Sequence, residues 1–458
     1  LLLLDNILKE KLSVKDAITI SENPDQLFCE LVKIISQPAY IGKYSIDHEM
    51  RNYSLHFVRE INDKIATGDP HPFSSAENFK SEDLYFLMLY GRDEVFTATF
   101  NGLFARFIQK LPNGNGADFL NSINNNQFRD FISLCSNFGK MDEFLSKFSE
   151  PAKQQLLLSY TANLEKDQDA LTTVVLVAEA ISNITNYQVL GYLQSNIKHE
   201  YDRVKEENNP VGISIYGILS SMISGNATVD IPWYKMVAEQ FKVSPAGLLA
   251  TSTLFNAQKI CVQQMYFYND DDGKSSFLNF LSTYKNQSAW QIEDRGSYVI
   301  ISSKEGKQIE IFANKPEMEE VGIGAINIFL KENKMSPYVV IHRGHSFHTE
   351  ATLEKISSSA KLIFVGSCGG FYKVSMALEN APDAHVISTK QVGTKAINDA
   401  ILFALNENIR EGKDIMWNDF WDKMRIKLGN NQYFSDYIPP NKNLEATFIR
   451  AYYKLLGV

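Results

Sequence analysis

Apolar residues recur at helical spacing through the first half of the chain. Residues 26–35 and 171–184 show the three- and four-residue steps of an amphipathic helix. Stretches rich in Gly, Asn and Pro, such as 68–70 and 208–210, separate such segments. The pattern therefore predicts an all-α domain over residues 1–255, which we expect to act as a scaffold or to bind a partner or substrate.

From Lys259 onward the pattern changes to short apolar runs that alternate with helical segments. Predicted strands cover residues 260–268, 298–302, 308–312, 338–341, 362–365 and 385–388, and predicted helices cover 275–284, 317–334, 350–357, 372–378 and 394–410. Short buried strands that are each followed by a helix indicate a mainly parallel sheet with helices on both faces. We therefore predict an α/β domain over residues 256–458, with a helical tail at its C-terminal end.

Composition and charge narrow the function classes. The chain is 44% hydrophobic and 22% charged, and its net charge of −9 argues against a nucleic-acid-binding protein. No run of about 18 apolar residues predicts a membrane span. The first residue is Leu1 rather than Met, from which we expect a trimmed, exported chain.

The four cysteines lie far apart and do not form a recognisable framework. Cys29, Cys135, Cys261 and Cys368 include no CxxC pair, which argues against a zinc ribbon or a dithiol redox centre. So few cysteines in a long chain also argue against a disulfide scaffold. Isolated cysteines are usually small buried apolar residues, and three of these four have no other distinguishing feature.

Two predicted strands end in reactive side chains. The strand at 338–341 continues into His342-Arg343-Gly344-His345, and the strand at 362–365 continues into Gly366-Ser367-Cys368. Because consecutive parallel strands are often neighbours, we expect His345 and Cys368 to lie within reach of each other. An imidazole beside a thiol favours the thiolate and can later protonate a departing amine. Nearby glycines allow backbone N–H groups to approach a reacting carbonyl oxygen.

These two blocks, residues 338–346 and 361–370, resemble those of the caspase-like (clan CD) cysteine peptidases. In that family a hydrophobic strand ends in His-Gly or Gly-His-Gly, and a second one ends in a small residue and Cys. The short separation of His345 and Cys368 is nearest to separase, CHAT-type and gingipain-like members. The resemblance covers residues 259–427 approximately and implies a caspase-like α/β/α sandwich.

The resemblance also implies roles for individual residues. Cys368 matches the nucleophile and His345 the general acid/base of a cysteine endopeptidase that hydrolyses protein or peptide substrates. The oxyanion hole falls on Ser346, Cys368 and Gly344, with the backbone N–H groups of Cys368 and Ser346 as its donors. Ser346 departs from the family pattern, which usually has Gly there. No metal or organic cofactor is implied.

The acidic stretch Asp270-Asp271-Asp272 follows the first predicted strand, where relatives often place groups that bind the substrate's P1 side chain. It therefore either binds a basic P1 residue or is an ordinary acidic surface turn. The sequence also leaves open that this turn binds Ca²⁺. The residue that orients His345 is open too, with Glu350 or a backbone carbonyl as the candidates.

Two rival functions remain at this stage. The domain could keep a caspase-like fold without catalysis and serve as an interaction protein. Alternatively, His342, His345 and His348 with Glu350 could bind zinc, although their placement on a strand and loop makes the three rings diverge.

Overall fold

The computed structural model describes residues 12–37, 43–167, 170–285 and 287–457. The chain divides into two compact units, the first ending at Gln240 and the second starting at Phe241. The second unit begins earlier than the expected residue 256 because Leu248–Leu249 pairs with Ile415–Met416 inside it.

The first unit is helical, as the apolar spacing predicts. Its described α-helices are α1 (Val14–Glu22), α2 (Pro24–Ile35), α3 (Lys43–Thr67), α4 (Ser81–Tyr90), α5 (Thr97–Gln109), α6 (Gly116–Ser122), α7 (Phe128–Asn137), α8 (Met141–Leu145), α9 (Glu150–Thr161), α10 (Ala170–Asn183), α11 (Tyr187–Glu206), α12 (Pro210–Ile223) and α13 (Ile231–Phe241, whose last residue falls in the second unit). Asn186 and Asn209 cap α11 and α12 because their side chains accept hydrogen bonds from N–H groups in the first turn of each helix. Buried phenylalanine rings, including Phe107 and Phe131 at 5.2 Å, fill part of the core.

The second unit combines strands and helices. Its elements are β1 (Leu248–Leu249), β2 (Ile260–Phe267), α14 (Asp271–Lys285), β3 (Trp290–Asp294), β4 (Tyr298–Ser303), β5 (Gln308–Asn314), α15 (Glu319–Glu332), β6 (Val339–Arg343), α16 (Thr349–Leu353), β7 (Leu362–Val365), α17 (Val374–Asn380), β8 (His385–Thr389), α18 (Lys395–Arg410), β9 (Ile415–Met416), α19 (Trp417–Leu428), β10 (Tyr437–Ile438) and α20 (Leu444–Leu456). The predicted strands and helices all occur, and their ends shift by only a few residues.

The main sheet is mixed but mostly parallel. Its eight strands follow the order β10-β8-β7-β6-β2-β5-β4-β3. The five central strands, β8 to β5, are mutually parallel, whereas β10, β4 and β3 add antiparallel pairs at the two edges. The α/β class with a mainly parallel sheet is thus confirmed, and each parallel crossover carries a helix or a helix with a hairpin.

Helices cover both faces of this sheet because its central strands are apolar on both sides. On one face, Met265 and Ile341 belong to a buried cluster with Ile401 of α18. On the other face, Val262 and Phe312 pack with residues of α15. Among the described residues, no helix is both long and apolar enough to span a membrane.

Candidate active site

Strands β6 and β7 are adjacent and parallel, and their register places the two reactive segments side by side. His342 pairs with Val365 at the carboxyl end of the two strands. His345 follows His342 by three residues, and Cys368 follows Val365 by the same number. Both predicted residues therefore leave the sheet at the same edge from paired positions, as the strand order predicts.

Cys368 occupies the corner of a tight turn and is partly exposed. The N–H of Gly370 donates to the carbonyl of Ser367 at 3.1 Å, which closes the turn Ser367–Gly370. Gly369 has φ of 64° and ψ of 13°, which is the left-handed conformation that a type II turn requires at its third residue. The turn therefore leaves Cys368 partly exposed at the edge of the sheet.

Residues of the loop that follows β8 and a side chain of α18 hold this turn. The N–H of Gly369 donates to the carbonyl of Gln391 at 2.9 Å. The amide of Asn398 donates to the carbonyl of Gly366 at 3.1 Å. A Cβ on Gly393 would lie 2.0 Å from that same carbonyl oxygen, so only glycine allows this close approach. These contacts hold the backbone both before Cys368, at Gly366, and after it, at Gly369, and so fix the position of Cys368.

His345 has a carboxylate partner, Asp271, which the sequence analysis assigned to a substrate-binding stretch or a surface turn. Its Nε2 lies 3.2 Å from Oδ1 of Asp271, the first residue of α14. The His345 side chain is 42% exposed and that of Asp271 is 93% exposed, so water screens this pair. Hydrogen bonding to His345 lowers the pKa of Asp271 below its ordinary value. Glu350, the earlier candidate for orienting His345, forms an ion pair with Lys373 at 2.7 Å.

His342 is buried and linked to neighbours by a chain of polar contacts. The hydroxyl of Tyr268 lies 2.7 Å from Oγ1 of Thr352, which lies 2.8 Å from Nδ1 of His342. The Nε2 of His342 lies 3.2 Å from the carbonyl oxygen of His345. Burial lowers the pKa of His342 to about 3, so the ring is neutral at pH 7. A neutral ring satisfies both contacts when Nε2 carries the proton and donates to the carbonyl, while Nδ1 accepts from Thr352.

Thr349 connects the histidine segment to the cysteine turn. Its Oγ1 lies 3.0 Å from Oγ of Ser367 and 3.3 Å from Nε2 of His342. All three side chains are buried. The residue before Cys368 and the strand end before His345 are therefore joined by one hydroxyl group.

His348 lies on the other side of the histidine segment. Its ring stacks on Tyr268 with centroids 4.1 Å apart and an angle of 6° between the planes. Its Nε2 lies 3.1 Å from Oδ2 of Asp270, and burial lowers the pKa of this imidazole below its ordinary value. His342, His345 and His348 thus face different partners, so the zinc set of these rings with Glu350 is not assembled.

The predicted oxyanion-hole residues lie within these two turns. Gly344 packs against the ring of Tyr268, and Ser346 begins the 3₁₀ turn Ser346–His348. Ser346 does not have a positive φ, so a serine occupies this position without the backbone strain that would call for glycine. Cys368 supplies the other predicted N–H group, from the neighbouring turn.

The acidic stretch forms the start of α14 beside the histidines. Asp270 lies next to His348, Asp271 next to His345, and Asp272 next to the hydroxyl of Ser276 at 3.5 Å. Oxygen atoms of Asp270 and Asp271 and a ring nitrogen of His345 all lie within 4.8 Å of one another. Asp270 and Asp271 therefore lie at the site, Asp272 faces Ser276, and the role of the stretch in binding substrate stays a prediction.

Comparison with models of protein families, with curated proteins and with solved structures found no match for this chain.

Proposed function

We propose that the second unit is a caspase-like domain and that this protein is a cysteine endopeptidase acting through Cys368 and His345. The observation that carries the proposal is the register of β6 and β7, in which His342 pairs with Val365. It brings an imidazole and a partly exposed thiol to the same edge of the sheet. Pairing of these two groups is the requirement for a thiol nucleophile in acyl transfer.

Each group has a defined part in the proposed reaction. His345 takes the proton from the Cys368 thiol, and the resulting thiolate attacks the carbonyl carbon of the peptide bond. Because Nε2 of His345 faces Asp271, Nδ1 is the nitrogen left to exchange a proton with the sulfur. Backbone N–H groups of Cys368 and Ser346 stabilise the oxyanion.

Collapse of the tetrahedral intermediate releases the amine, which receives the proton held by His345. Water then attacks the thioester, and His345 accepts a proton from this water. The thiol is regenerated, and the carboxylic acid product leaves. Buried His342 does not titrate near neutral pH, so it acts as a positioning residue through the backbone of His345.

The test is labelling of the intact protein with an electrophilic peptide ketone, followed by mass spectrometry of the modified peptide. We expect modification of Cys368, abolished in Cys368→Ala and slowed about 100-fold in His345→Ala because the general base is lost. Cys29→Ala is the matched control. Burial and the neighbouring Asp83 raise the pKa of the Cys29 thiol to about 12, so this cysteine should not react at neutral pH.

Cleavage of a peptide library by wild type but not by Cys368→Ala would complete the case for peptidase activity. The rival is a caspase-like interaction protein without catalysis. It predicts that Cys368 reacts no faster with peptide ketones than a free thiol does, that His345→Ala has no effect on this rate, and that no peptide is cleaved. That set of results would overturn the proposal.

A further inference from the structure

The ring of Phe347 is an exposed apolar surface beside the proposed general acid/base. Its centroid lies 5.2 Å from that of the His345 ring, with 16° between the two planes. Phe347 is 49% exposed, so about half of its surface remains in contact with water. Single exposed apolar residues are common on protein surfaces and need no explanation by themselves. Phe347 differs from them because it contacts the imidazole that exchanges protons in the proposed reaction.

Two further ring contacts show on which side of the histidine segment Phe347 lies. Its centroid is 4.3 Å from that of the His348 ring. The His348 ring in turn stacks on Tyr268, with centroids 4.1 Å apart. Tyr268 directly follows β2, which pairs with β6 on the side opposite β7. Phe347 therefore packs on rings that lie toward β2, whereas the Cys368 turn follows β7.

The proposed reaction fixes which part of a peptide approaches each side of His345. The acyl carbon of the scissile bond becomes attached to Cys368, and the departing amine receives its proton from His345. The peptide segment that begins with this amine therefore runs from the imidazole away from the thiol, toward β2. Its first side chain belongs to P1′, the residue after the scissile bond. This side chain is the one that reaches the exposed ring of Phe347.

We propose that Phe347 binds the P1′ side chain and selects peptides in which this residue is apolar or aromatic. Contact with such a side chain removes apolar surface of both partners from water. Because neighbouring rings already hold Phe347, little conformational entropy is lost when a peptide binds. A glycine at P1′ offers no side chain for this contact. The inference depends on the proposed peptidase function, which sets the direction of the bound peptide.

Cleavage by the full chain tests this preference with two peptide pools, which have Phe or Gly fixed at the central position and random residues elsewhere. Mass spectrometry measures the rate of cleavage directly before the central residue. We expect wild type to prefer Phe by about three- to tenfold, the range for contact between two aromatic rings, and Phe347→Ala to bring the ratio near one. Phe347→Leu should retain part of the preference.

Ile426→Ala is the matched control, because Ile426 is an apolar residue on α19 that is 89% exposed and lies outside the histidine segment. It should leave the ratio of the two cleavage rates unchanged. A purely structural role of Phe347 would slow cleavage of both pools equally in Phe347→Ala and keep the wild-type ratio. That result, or equal cleavage of both pools by wild type, would overturn the inference.

Binding without cleavage separates this inference from the proposed function. The same two pools, carrying a fluorophore, are titrated with the Cys368→Ala protein, and fluorescence anisotropy gives their affinities. We expect the pool with Phe to bind about three- to tenfold more tightly, and Phe347→Ala in the same background to abolish the difference. Equal affinities, or no binding of either pool, would refute the role of Phe347. A preference that depends on Phe347 in a protein whose wild type cleaves no peptide would contradict the proposed function alone.

Discussion

A buried ion pair on β6 offers a quantitative test of how the strand end before His345 is held. The guanidinium of Arg343 pairs with the carboxylate of Asp399 on α18, and their side chains are 0% and 6% exposed. The amide of Asn279 on α14 donates a second hydrogen bond to this carboxylate. The pair thus joins the last residue of β6 to two helices that cover the same face of the sheet.

Replacing Arg343 with Met should be strongly destabilising. The substitution keeps most of the side-chain volume but leaves the Asp399 carboxylate buried with Asn279 as its remaining donor. Removal of one partner of a buried pair costs about 3–5 kcal/mol. Typical domains are stable by about 5–15 kcal/mol, so the variant should still fold.

Arg425→Met is the matched control. Its ion pair with Asp422 is more than half exposed, so its loss should cost under about 1 kcal/mol.

The double variant Arg343→Met/Asp399→Leu should recover most of the loss. It removes both charges, so no unpaired ion remains in the core. In addition, the Nε and Nη2 atoms of Arg343 have no hydrogen-bond partner among the described residues, so the native pair already carries an uncompensated cost. We expect the double variant to lie within about 2 kcal/mol of wild type, far from the sum of the single losses.

Urea unfolding followed by tryptophan fluorescence measures these differences. The chain has four tryptophans, of which Trp233 alone lies in the first unit, so a Trp233→Phe background reports on the second unit. The reasoning is refuted if the two single losses add in the double variant. It is also refuted if Arg343→Met costs no more than Arg425→Met does.

Three further outcomes follow from individual contacts. Lowering the pH from 7 to 5 should remove about 2 kcal/mol of stability through His342. The unfolded ring has a pKa near 6.5 and binds a proton in this range, whereas the folded ring has a pKa of about 3 and does not. His342→Gln should lose this part of the pH dependence of stability in urea unfolding. Asp271→Asn should slow labelling of Cys368 only about two- to fivefold, since an exposed pair contributes at most about 1 kcal/mol, and a hundredfold loss would contradict this view. Gly369→Ala should cost about 1–2 kcal/mol because its φ is 64°, whereas Gly324→Ala, on a helix with open space around it, should stabilise by about 0.5–1 kcal/mol in the same assay.

The fold was most predictable where hydrophobicity alone decides the structure. Strand β7 and the first three residues of β6 are apolar runs inside the sheet, and their positions follow from the sequence. Strand β3 was missed because Trp290–Asp294 is a mostly exposed edge strand that ends in acidic residues. Strand β10 was missed because a pair of residues that completes an edge carries no periodic signal.

The part of the site that the sequence predicts is the part that the order of the strands along the chain determines. Adjacent parallel strands brought His345 and Cys368 to one edge, which the sequence suffices to anticipate. The contact between His345 and Asp271 depends on where α14 starts relative to β6, and no local pattern encodes that. The same holds for Tyr268 and Thr352, which come from separate elements and form the hydrogen-bond chain that ends at His342.

The end of β6 is fixed from both faces of the sheet, whereas the imidazole of His345 is left partly exposed. His342 and Arg343 point to opposite faces, one into a neutral chain of hydrogen bonds and the other into an ion pair. Their contacts hold the backbone before His345, while its ring has a screened carboxylate as partner. A general acid/base must exchange protons with the sulfur and then with the departing amine, and a partly exposed ring on a fixed backbone is accessible to both. Substitutions at His342 or Arg343 should therefore affect catalysis through the position of the turn, and those at Asp271 through the ring alone.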